Sequence, residues 1–184
     1  MPIYDQISPI YDWMTASERQ YSRQALALLD VQPDETLLEI GCGTGQALMQ
    51  QAPQMGSEGR LIGLDLSAGM LRQAQGNLAG TAVSLLRGSG LQLPLSADCC
   101  DALFLSFTLE LFDLEEQHQL LGEVRGDEDI PSTRALVIEA SCPDRLQPKA
   151  LEVLVGEVIL SHLADCVGRK GSKWVGLFDG QFIF

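Results

Sequence analysis

The sequence predicts an α/β fold in which a mainly parallel sheet carries helices on both faces. Short apolar runs alternate with stretches of helical periodicity, an order typical of parallel strands joined by helical crossovers. A glycine-rich turn from Gly41 to Gly45 separates the first of these runs from the helix that follows it. The chain has 184 residues, enough for one domain with a core of useful size. We therefore expect a single domain over residues 1–184.

Five apolar runs have the length of buried strands. They lie at 36–40, 60–65, 82–86, 101–108 and 135–140. Ser17 and Ser67 are candidate N-caps, because serine accepts a hydrogen bond from the first turn of a helix. Predicted helices cover 17–30, the stretch from the glycine turn to about 54, 68 to 76 or 80, and 114–124. The first of them is expected to bury a face that contains Tyr21, Ala25, Leu28 and Leu29.

Two further elements are predicted after the fifth strand. Apolar residues from Leu151 to His162 recur at helical spacing, with Pro148 near the first turn, which predicts a long amphipathic helix. Asp179-Gly180 lies between two short apolar runs, 174–178 and 181–184, which is a strong hairpin signal.

Composition excludes several classes of partner. The chain carries 25 acidic and 12 basic residues, a formal net charge of −13, which disfavours nucleic acid and anionic membranes. A small-molecule substrate remains, and the field mildly favours a cationic one. No apolar stretch is long enough for a membrane span, and the acidic N-terminus does not resemble a secretory signal. Five cysteines without metal-site spacing favour a reducing cytoplasm and predict neither zinc nor a disulfide framework.

The glycine turn is the sharpest chemical signal. Glycines at 41, 43 and 45 allow a ligand to lie against bare peptide groups at the start of a helix. A dinucleotide-binding turn would place glycine at the position of Gln46. Glu39, just before the turn, is a poor neighbour for a pyrophosphate. It suits a cationic or zwitterionic ligand.

Asp65 ends the second predicted strand, twenty residues after Gly45. A carboxylate at the end of this strand can accept both hydrogen bonds of a ribose diol. Leu66 and Met70 follow closely and could supply an apolar surface for a purine. The two segments together predict a nucleoside-containing ligand.

These segments resemble class I S-adenosylmethionine-dependent methyltransferases, especially the small-molecule type of ubiquinone and menaquinone biosynthesis. The resemblance covers roughly residues 4–141 and implies a Rossmann-like methyltransferase fold. It divides the chain into a cofactor-covering segment and helix (1–30), a cofactor-binding core (36–141) and an atypical C-terminal helix and tail (142–184). The matching segments are Tyr4-Asp5, Tyr11-Asp12, Glu39 to Gly45, Asp65, Gly88 to Pro94, Cys100-Asp101 and Ser106 to Leu111.

The resemblance implies S-adenosylmethionine as cofactor, methyl transfer to a small molecule by in-line displacement, and no metal. On the methionine side, it implies that Glu39 receives the ammonium and that Gly41, Cys42, Gly43 and Ser106 lie along the chain of the ligand.

On the adenosine side, Asp65 would bind the ribose, while Leu66 and Met70 would flank the adenine ring. The remaining residues implied at the cofactor are Ser89, Gly90 and Leu91 at the adenine edge, and Tyr11 as a cover. No general base is assigned, although Tyr11 and Glu110 are candidates by position.

Three departures from the family pattern are visible. Ser89 replaces the usual aspartate, and Gly126 to Arg134 replaces a basic turn before the fifth strand. Residues 142–184 are too few for the family's final helix and two strands. We therefore expect either an exposed edge at the fifth strand or a homodimer seam. Two other functions stay open: cofactor binding without turnover, and an NAD-linked oxidoreductase, against which Gln46 speaks.

Overall fold

The structure, a computed structural model, describes residues 4, 5, 8, 11, 19–96, 99–125, 134–141, 150–154, 176–178 and 181–183. The described strands are β1 (Thr36–Ile40), β2 (Arg60–Asp65), β3 (Val83–Arg87), β4 (Ala102–Ser106), β5 (Arg134–Ser141), β6 (Ala150–Leu154), β7 (Gly176–Phe178) and β8 (Gln181–Ile183). The described helices are α1 (Arg19–Leu29), α2 (Gln46–Gln51), α3 (Ala68–Asn77) and α4 (Leu114–Arg125). Short 3₁₀ turns occupy Ala52–Gln54 and Leu109–Leu111.

The strands form one sheet in the order β3-β2-β1-β4-β5-β6-β7-β8. β1 pairs in parallel with both β2 and β4, and β2–β3 and β4–β5 are also parallel. The chain therefore leaves β1 toward one side of the sheet and later returns to its other side. Ligands of such sheets bind at the carboxyl ends of the strands where the order reverses. This arrangement confirms the predicted parallel α/β fold.

The core lies on both faces of the sheet. One cluster contains Leu37, Leu61 and Phe104 together with residues of α1, α2 and α3. The other contains Leu38, Ile40 and further strand residues together with Leu120 of α4. Because side chains alternate along a strand, Glu39 of β1 shares the face of Leu37, on the side of α1 and α2.

The buried face of α1 differs from the predicted one. Ser22, Ala25, Leu26 and Leu29 are buried, whereas Tyr21 and Leu28 are only half-buried. The hydroxyls of Ser22 and Ser106 lie 3.1 Å apart, so the small serine faces the end of β4. The helix is rotated toward this polar contact, which a search for the most apolar face does not detect.

The helix predicted from Leu151 to His162 is wrong at its beginning, because Ala150–Leu154 forms β6. β6 pairs antiparallel with β5, from Val137↔Leu154 to Ser141↔Ala150. Without a further strand, the backbone groups at the edge of β5 would lack hydrogen-bond partners. Pairing with them outweighs the helical spacing of the apolar residues in this run. The expected exposed edge is therefore absent from this strand, and the reason for a dimer seam there is removed. Residues 155–162 lie outside the described part of the chain.

The predicted hairpin is confirmed. β7 and β8 pair antiparallel across Asp179-Gly180, with Leu177 opposite Phe182. β7 joins the sheet through Val153↔Leu177. In the part of the chain that the structure describes, no helix has the length and apolar composition needed to cross a bilayer.

Candidate functional site

The glycine turn between β1 and α2 is fixed to the ends of neighbouring strands. The N–H groups of Gly41 and Cys42 both donate to the carbonyl of Leu64, at 2.8 and 3.0 Å. The N–H of Gly43 donates to Asp65 Oδ2 at 2.8 Å. All three glycines of the turn have positive φ, between 52° and 77°. The turn is thus a preformed bed of peptide groups at the carboxyl end of β1.

Two cavities meet on this turn, with volumes of about 700 and 480 Å³ including their open mouths. Eleven of the twelve residues predicted at the cofactor line them. Both cavities are bordered by Tyr11, Gly41, Gly43 and Ser106. The larger adds Asp65, Leu66, Met70, Ser89 and Gly90, and the smaller adds Glu39 and Cys42. The structure therefore brings together residues that are spread over about a hundred positions of the sequence.

Leu91 is the predicted residue that lies outside both cavities. Its N–H donates to Ser89 Oγ at 3.2 Å, and its carbonyl accepts from Gln119 Nε2 at 2.8 Å. Its side chain packs against the core cluster on the α4 side. Both of its backbone groups thus have partners within the chain, which leaves the expected backbone contact to Gly90.

Glu39 is a buried carboxyl group at the floor of the smaller cavity. Only 3% of the residue is exposed, and Oε2 has no hydrogen-bond partner among the described residues. Burial raises the pKa of Glu39 well above its usual value, the negative charge of Asp65 raises it further, and the N–H of Leu48 opposes them. An unpartnered buried carboxyl oxygen is costly in the free protein. It fits a ligand that brings a cation to this position.

Replacing Glu39 by glutamine is expected to stabilise the free protein as the pH rises. A carboxyl whose pKa is higher in the folded than in the unfolded state favours folding below its unfolded pKa of about 4.3. This contribution is lost as the pH rises through the folded-state pKa. The variant should therefore melt higher than the parent at neutral pH, by roughly 2–4 °C for each kcal/mol of penalty removed.

Thermal unfolding between pH 4 and 9 measures this difference, with the exposed Glu58→Gln as the control. The gap between Glu39→Gln and the parent should widen with pH, while cofactor binding is weakened. A gap that stays constant with pH would contradict the buried, pKa-shifted carboxyl.

Asp65 is held by two backbone donors. Oδ2 accepts from Gly43 N–H at 2.8 Å, and Oδ1 accepts from Ser67 N–H at 2.7 Å. Burial raises the pKa of Asp65, while the N–H groups of Ser67 and Gly43 act in the opposite direction. A carboxylate has about four acceptor positions. The two backbone bonds therefore orient the group and leave acceptor capacity for a ligand in the larger cavity.

The end of β4 contributes the opposite wall. Phe107 has a φ of +53°, which is unusual for a bulky residue and is often found at functional sites. Thr108 Oγ1 donates to the carbonyl of Ser106 at 3.1 Å and approaches that of Gly41 at 3.4 Å. A Cβ on Gly41 would overlap the Thr108 side chain. This close packing couples the exit of β4 to the glycine turn.

Several lining residues were given no individual role by the sequence analysis, although Tyr4 belongs to the segment predicted to cover the cofactor. They are Tyr4, Arg19, Ser22, Thr44, Phe107, Thr108, Leu111 and Phe112. Arg19 and Ser22 lie three residues apart on α1, and the spacing continues to Leu26 and Leu29, so one face of α1 reaches the smaller cavity. That polar continuation of an apolar face is the signal that could have found Arg19.

Tyr4 and Tyr11 cover the larger cavity from the N-terminal side. Their ring centroids are 6.2 Å apart at an interplanar angle of 64°, an edge-to-face contact. Tyr11 Cε1 lies 3.8 Å from the position that a Cβ on Gly43 would take. The aromatic cover therefore lies directly over the glycine turn.

Comparison with known proteins supports the resemblance to methyltransferases that the sequence motifs indicate. A methyltransferase domain family matches residues 37–126. The chain is 26% identical over 182 residues to a 2-phytyl-1,4-naphtoquinone methyltransferase of Nostoc sp., covering 91% of this chain and 76% of that protein. It is 30% identical over 152 residues to a demethylmenaquinone methyltransferase of Lactiplantibacillus plantarum, covering 78% of this chain and 63% of that protein.

Solved structures share the fold. A SAM-dependent methyltransferase from Aquifex aeolicus superposes with a TM-score of 0.56 at 21% identity, covering 69% of this chain and 68% of that one. A phosphoethanolamine N-methyltransferase from Haemonchus contortus, solved with phosphoethanolamine and S-adenosylhomocysteine, gives 0.64 at 18% identity, covering 78% and 32%. The family match, the two relatives and the shared fold together support a class I S-adenosylmethionine-dependent methyltransferase.

Proposed function

We propose that this enzyme methylates an apolar, ring-bearing small molecule of the quinol type at a carbon or oxygen atom. The observation that carries the proposal is the wall of the larger cavity beyond Asp65. It consists of Phe107, Leu111 and Phe112, which all follow β4. Leu111 is 44% exposed, so this wall presents apolar surface to solvent at the mouth of the cavity. The names of the two quinone-methylating relatives support the same acceptor class.

The buried carboxyl group of Glu39 and the glycine turn fit the methionine end of the cofactor. Glu39 would receive its ammonium, and Gly41, Cys42, Gly43 and Ser106 would line the path of its chain. Arg19 lines the same cavity as Glu39 and is, among the residues that the structure describes, the one basic residue bordering either cavity. We infer that it attracts the carboxylate, so that an acid and a base face the two charges of an amino acid.

The larger cavity fits the adenosine end. Asp65 would accept from the ribose diol, and Ser89 and Gly90 would meet the adenine edge. Met70 is buried and Leu66 is 45% exposed, so together they would offer an apolar surface to the ring. These roles are proposals that the ligand titrations below test.

When bound, S-adenosylmethionine would supply a methyl group on a sulfonium for in-line displacement by the acceptor atom, with the neutral thioether as the leaving group. The side chains of this protein then have two tasks, to align the acceptor and to exclude water. Phe107, Leu111 and Phe112 would hold an apolar ring, while Tyr4 and Tyr11 would cover the site. We assign no general base. Tyr11 remains a candidate because it borders both cavities, and the side chain of Glu110 lies outside the described part.

The acceptor is tested with purified protein, S-adenosylmethionine and a reduced 1,4-naphthoquinol, with and without a prenyl tail. We expect a product heavier by one methylene unit and faster turnover of the tailed substrate. Phe112→Ser should impair turnover while leaving cofactor affinity intact. Cofactor binding with no methylation of either quinol would reject this acceptor class and return binding without turnover as the favoured alternative. A titration with NAD tests the oxidoreductase hypothesis, because that function requires NAD to bind.

Ser89→Asp is expected to tighten cofactor binding several-fold. Ser89 Oγ already accepts from Leu91 N–H at 3.2 Å, so it offers the adenine amino group a neutral and partly used acceptor. Aspartate would keep that bond with one oxygen and offer the other as a charged acceptor, a gain of about 1 kcal/mol. Calorimetric titration with S-adenosylhomocysteine measures it, and Ser89→Asn is the uncharged control. Equal affinities of the two variants would contradict the predicted contact.

We also infer a cytoplasmic location, supported by five cysteines in a chain without disulfide spacing. The homodimer predicted from the sequence stays a hypothesis. Its original reason was an uncovered edge at β5, and β6 covers that edge.

A further inference from the structure

Asp5 lies against the start of α3, outside both cavities. Its Oδ1 accepts from Ser67 Oγ at 2.7 Å and from the N–H of Gly69 at 2.6 Å. These two donors lower the pKa of the Asp5 carboxyl. A Cβ added to Gly69 would lie 2.7 Å from the Cα of Asp5. The N-terminal backbone is thus seated directly on α3, at a position where only glycine leaves room.

Ser67 connects Asp5 to the predicted ribose carboxylate. Its N–H donates to Asp65 Oδ1 and its hydroxyl donates to Asp5 Oδ1, both at 2.7 Å. The same hydroxyl accepts from Met70 N–H at 3.1 Å as the N-cap of α3. Two carboxylates, one in the ligand cavity and one on the N-terminal residues, therefore share one serine. Because Ser67 bonds to both carboxylates, a movement of either one alters a hydrogen bond of the residue that also holds the other.

The residues beside Asp5 reach the cavity. Tyr4 precedes it in the chain, lines the larger cavity and packs edge-to-face on Tyr11. Tyr11 borders both cavities above Gly43. The hydroxyl of the buried Ser8 donates to the carbonyl of Asp5 at 3.3 Å. Contacts thus run from Asp5 through Tyr4 to the aromatic cover of the site.

We propose that Asp5 is a positioning residue, which fastens Tyr4 and Tyr11 over the cofactor site through Ser67 and Gly69 and so sets how long the cofactor stays bound. The proposal rests on cofactor binding at the glycine turn and is independent of the identity of the acceptor. Because Asp65 shares Ser67 with Asp5, a ligand that orders Asp65 also favours the fastened position. Asp5 touches neither the cofactor nor the reacting atoms.

The test is the dissociation rate of S-adenosylhomocysteine, measured by displacement with excess unlabelled ligand. Asp5→Ala removes an acceptor of two hydrogen bonds and should accelerate dissociation about tenfold, with little change in the association rate. Asp5→Asn keeps an acceptor oxygen and should restore most of the residence time. The exposed Asp34→Ala, remote from α3 in the sequence, is the matched control for loss of one surface charge.

Two readouts do not depend on catalysis. Amide exchange at Gly69 in the ligand-free protein should accelerate in Asp5→Ala, since its N–H loses its acceptor. Tyr4→Leu, which leaves Asp5 intact but removes the ring contact with Tyr11, should also shorten residence. Dissociation within twofold of the parent in both Asp5→Ala and Tyr4→Leu would overturn the proposal, as would equal rates for Asp5→Ala and Asp34→Ala. If the parent protein methylates no quinol but the variants show the expected faster dissociation, the proposed acceptor fails while the role of Asp5 is supported.

Discussion

Gly43→Val is expected to abolish measurable cofactor binding, with an affinity reduced more than about 100-fold, while the chain still folds. Gly43 borders both cavities, so the two γ-methyl groups of valine would occupy the space where they meet. A Cβ alone would meet only Tyr11 Cε1, at 3.8 Å, which is ordinary contact. The substituted backbone must also hold a φ of +52°, at a cost of about 1–2 kcal/mol. A domain of ordinary stability, about 5–15 kcal/mol, tolerates that cost.

Two controls separate occlusion from backbone strain. Gly43→Ala has the same φ but no γ-methyl groups, so it should retain measurable binding. Gly80 has a φ of +84° and open space around its missing Cβ, so Gly80→Val carries comparable strain away from the cavities. Titration with S-adenosylhomocysteine and circular dichroism melts compare the three variants. If Gly43→Val bound the ligand as Gly80→Val does, the ligand would not lie on this turn.

The glycine turn and Asp65 could be predicted because their signals are local. A strand of five residues, three glycines at alternate positions and an acid at the end of the next strand each follow from short stretches of sequence. Parallel strands then bring their carboxyl ends together at one edge of the sheet. The bond between Gly43 N–H and Asp65 Oδ2 is a direct result of that topology.

The orientation of α1 and the strand β6 could not be predicted from local patterns, because each depends on a distant partner. The orientation of α1 follows from where Ser22 meets Ser106 on β4. The run at 150–154 satisfies helical spacing, and it is the pairing with β5 that makes it a strand. The same holds for Leu91, whose backbone groups are taken by Ser89 and by Gln119 of α4.

Asp65→Ala is expected to weaken cofactor binding by roughly 1.5–3 kcal/mol, that is about 10- to 150-fold. The carboxylate would accept charge-assisted hydrogen bonds from the ribose diol, and alanine offers no acceptor. The substitution also deprives Gly43 N–H and Ser67 N–H of their partner, so part of the loss could come from a disordered turn. The design of the experiment must separate these two contributions.

A cycle with two ligands makes the separation. S-adenosylhomocysteine and its 2′-deoxyribose analogue are titrated calorimetrically against the parent and against Asp65→Ala. If Asp65 binds the diol, removal of the 2′-hydroxyl should cost the parent about 1–2 kcal/mol and cost the variant almost nothing. If Asp65 acts only by holding the turn, both proteins should lose the same affinity on removal of the hydroxyl. Equal losses would therefore reject the ribose contact, even with a large effect of Asp65→Ala itself.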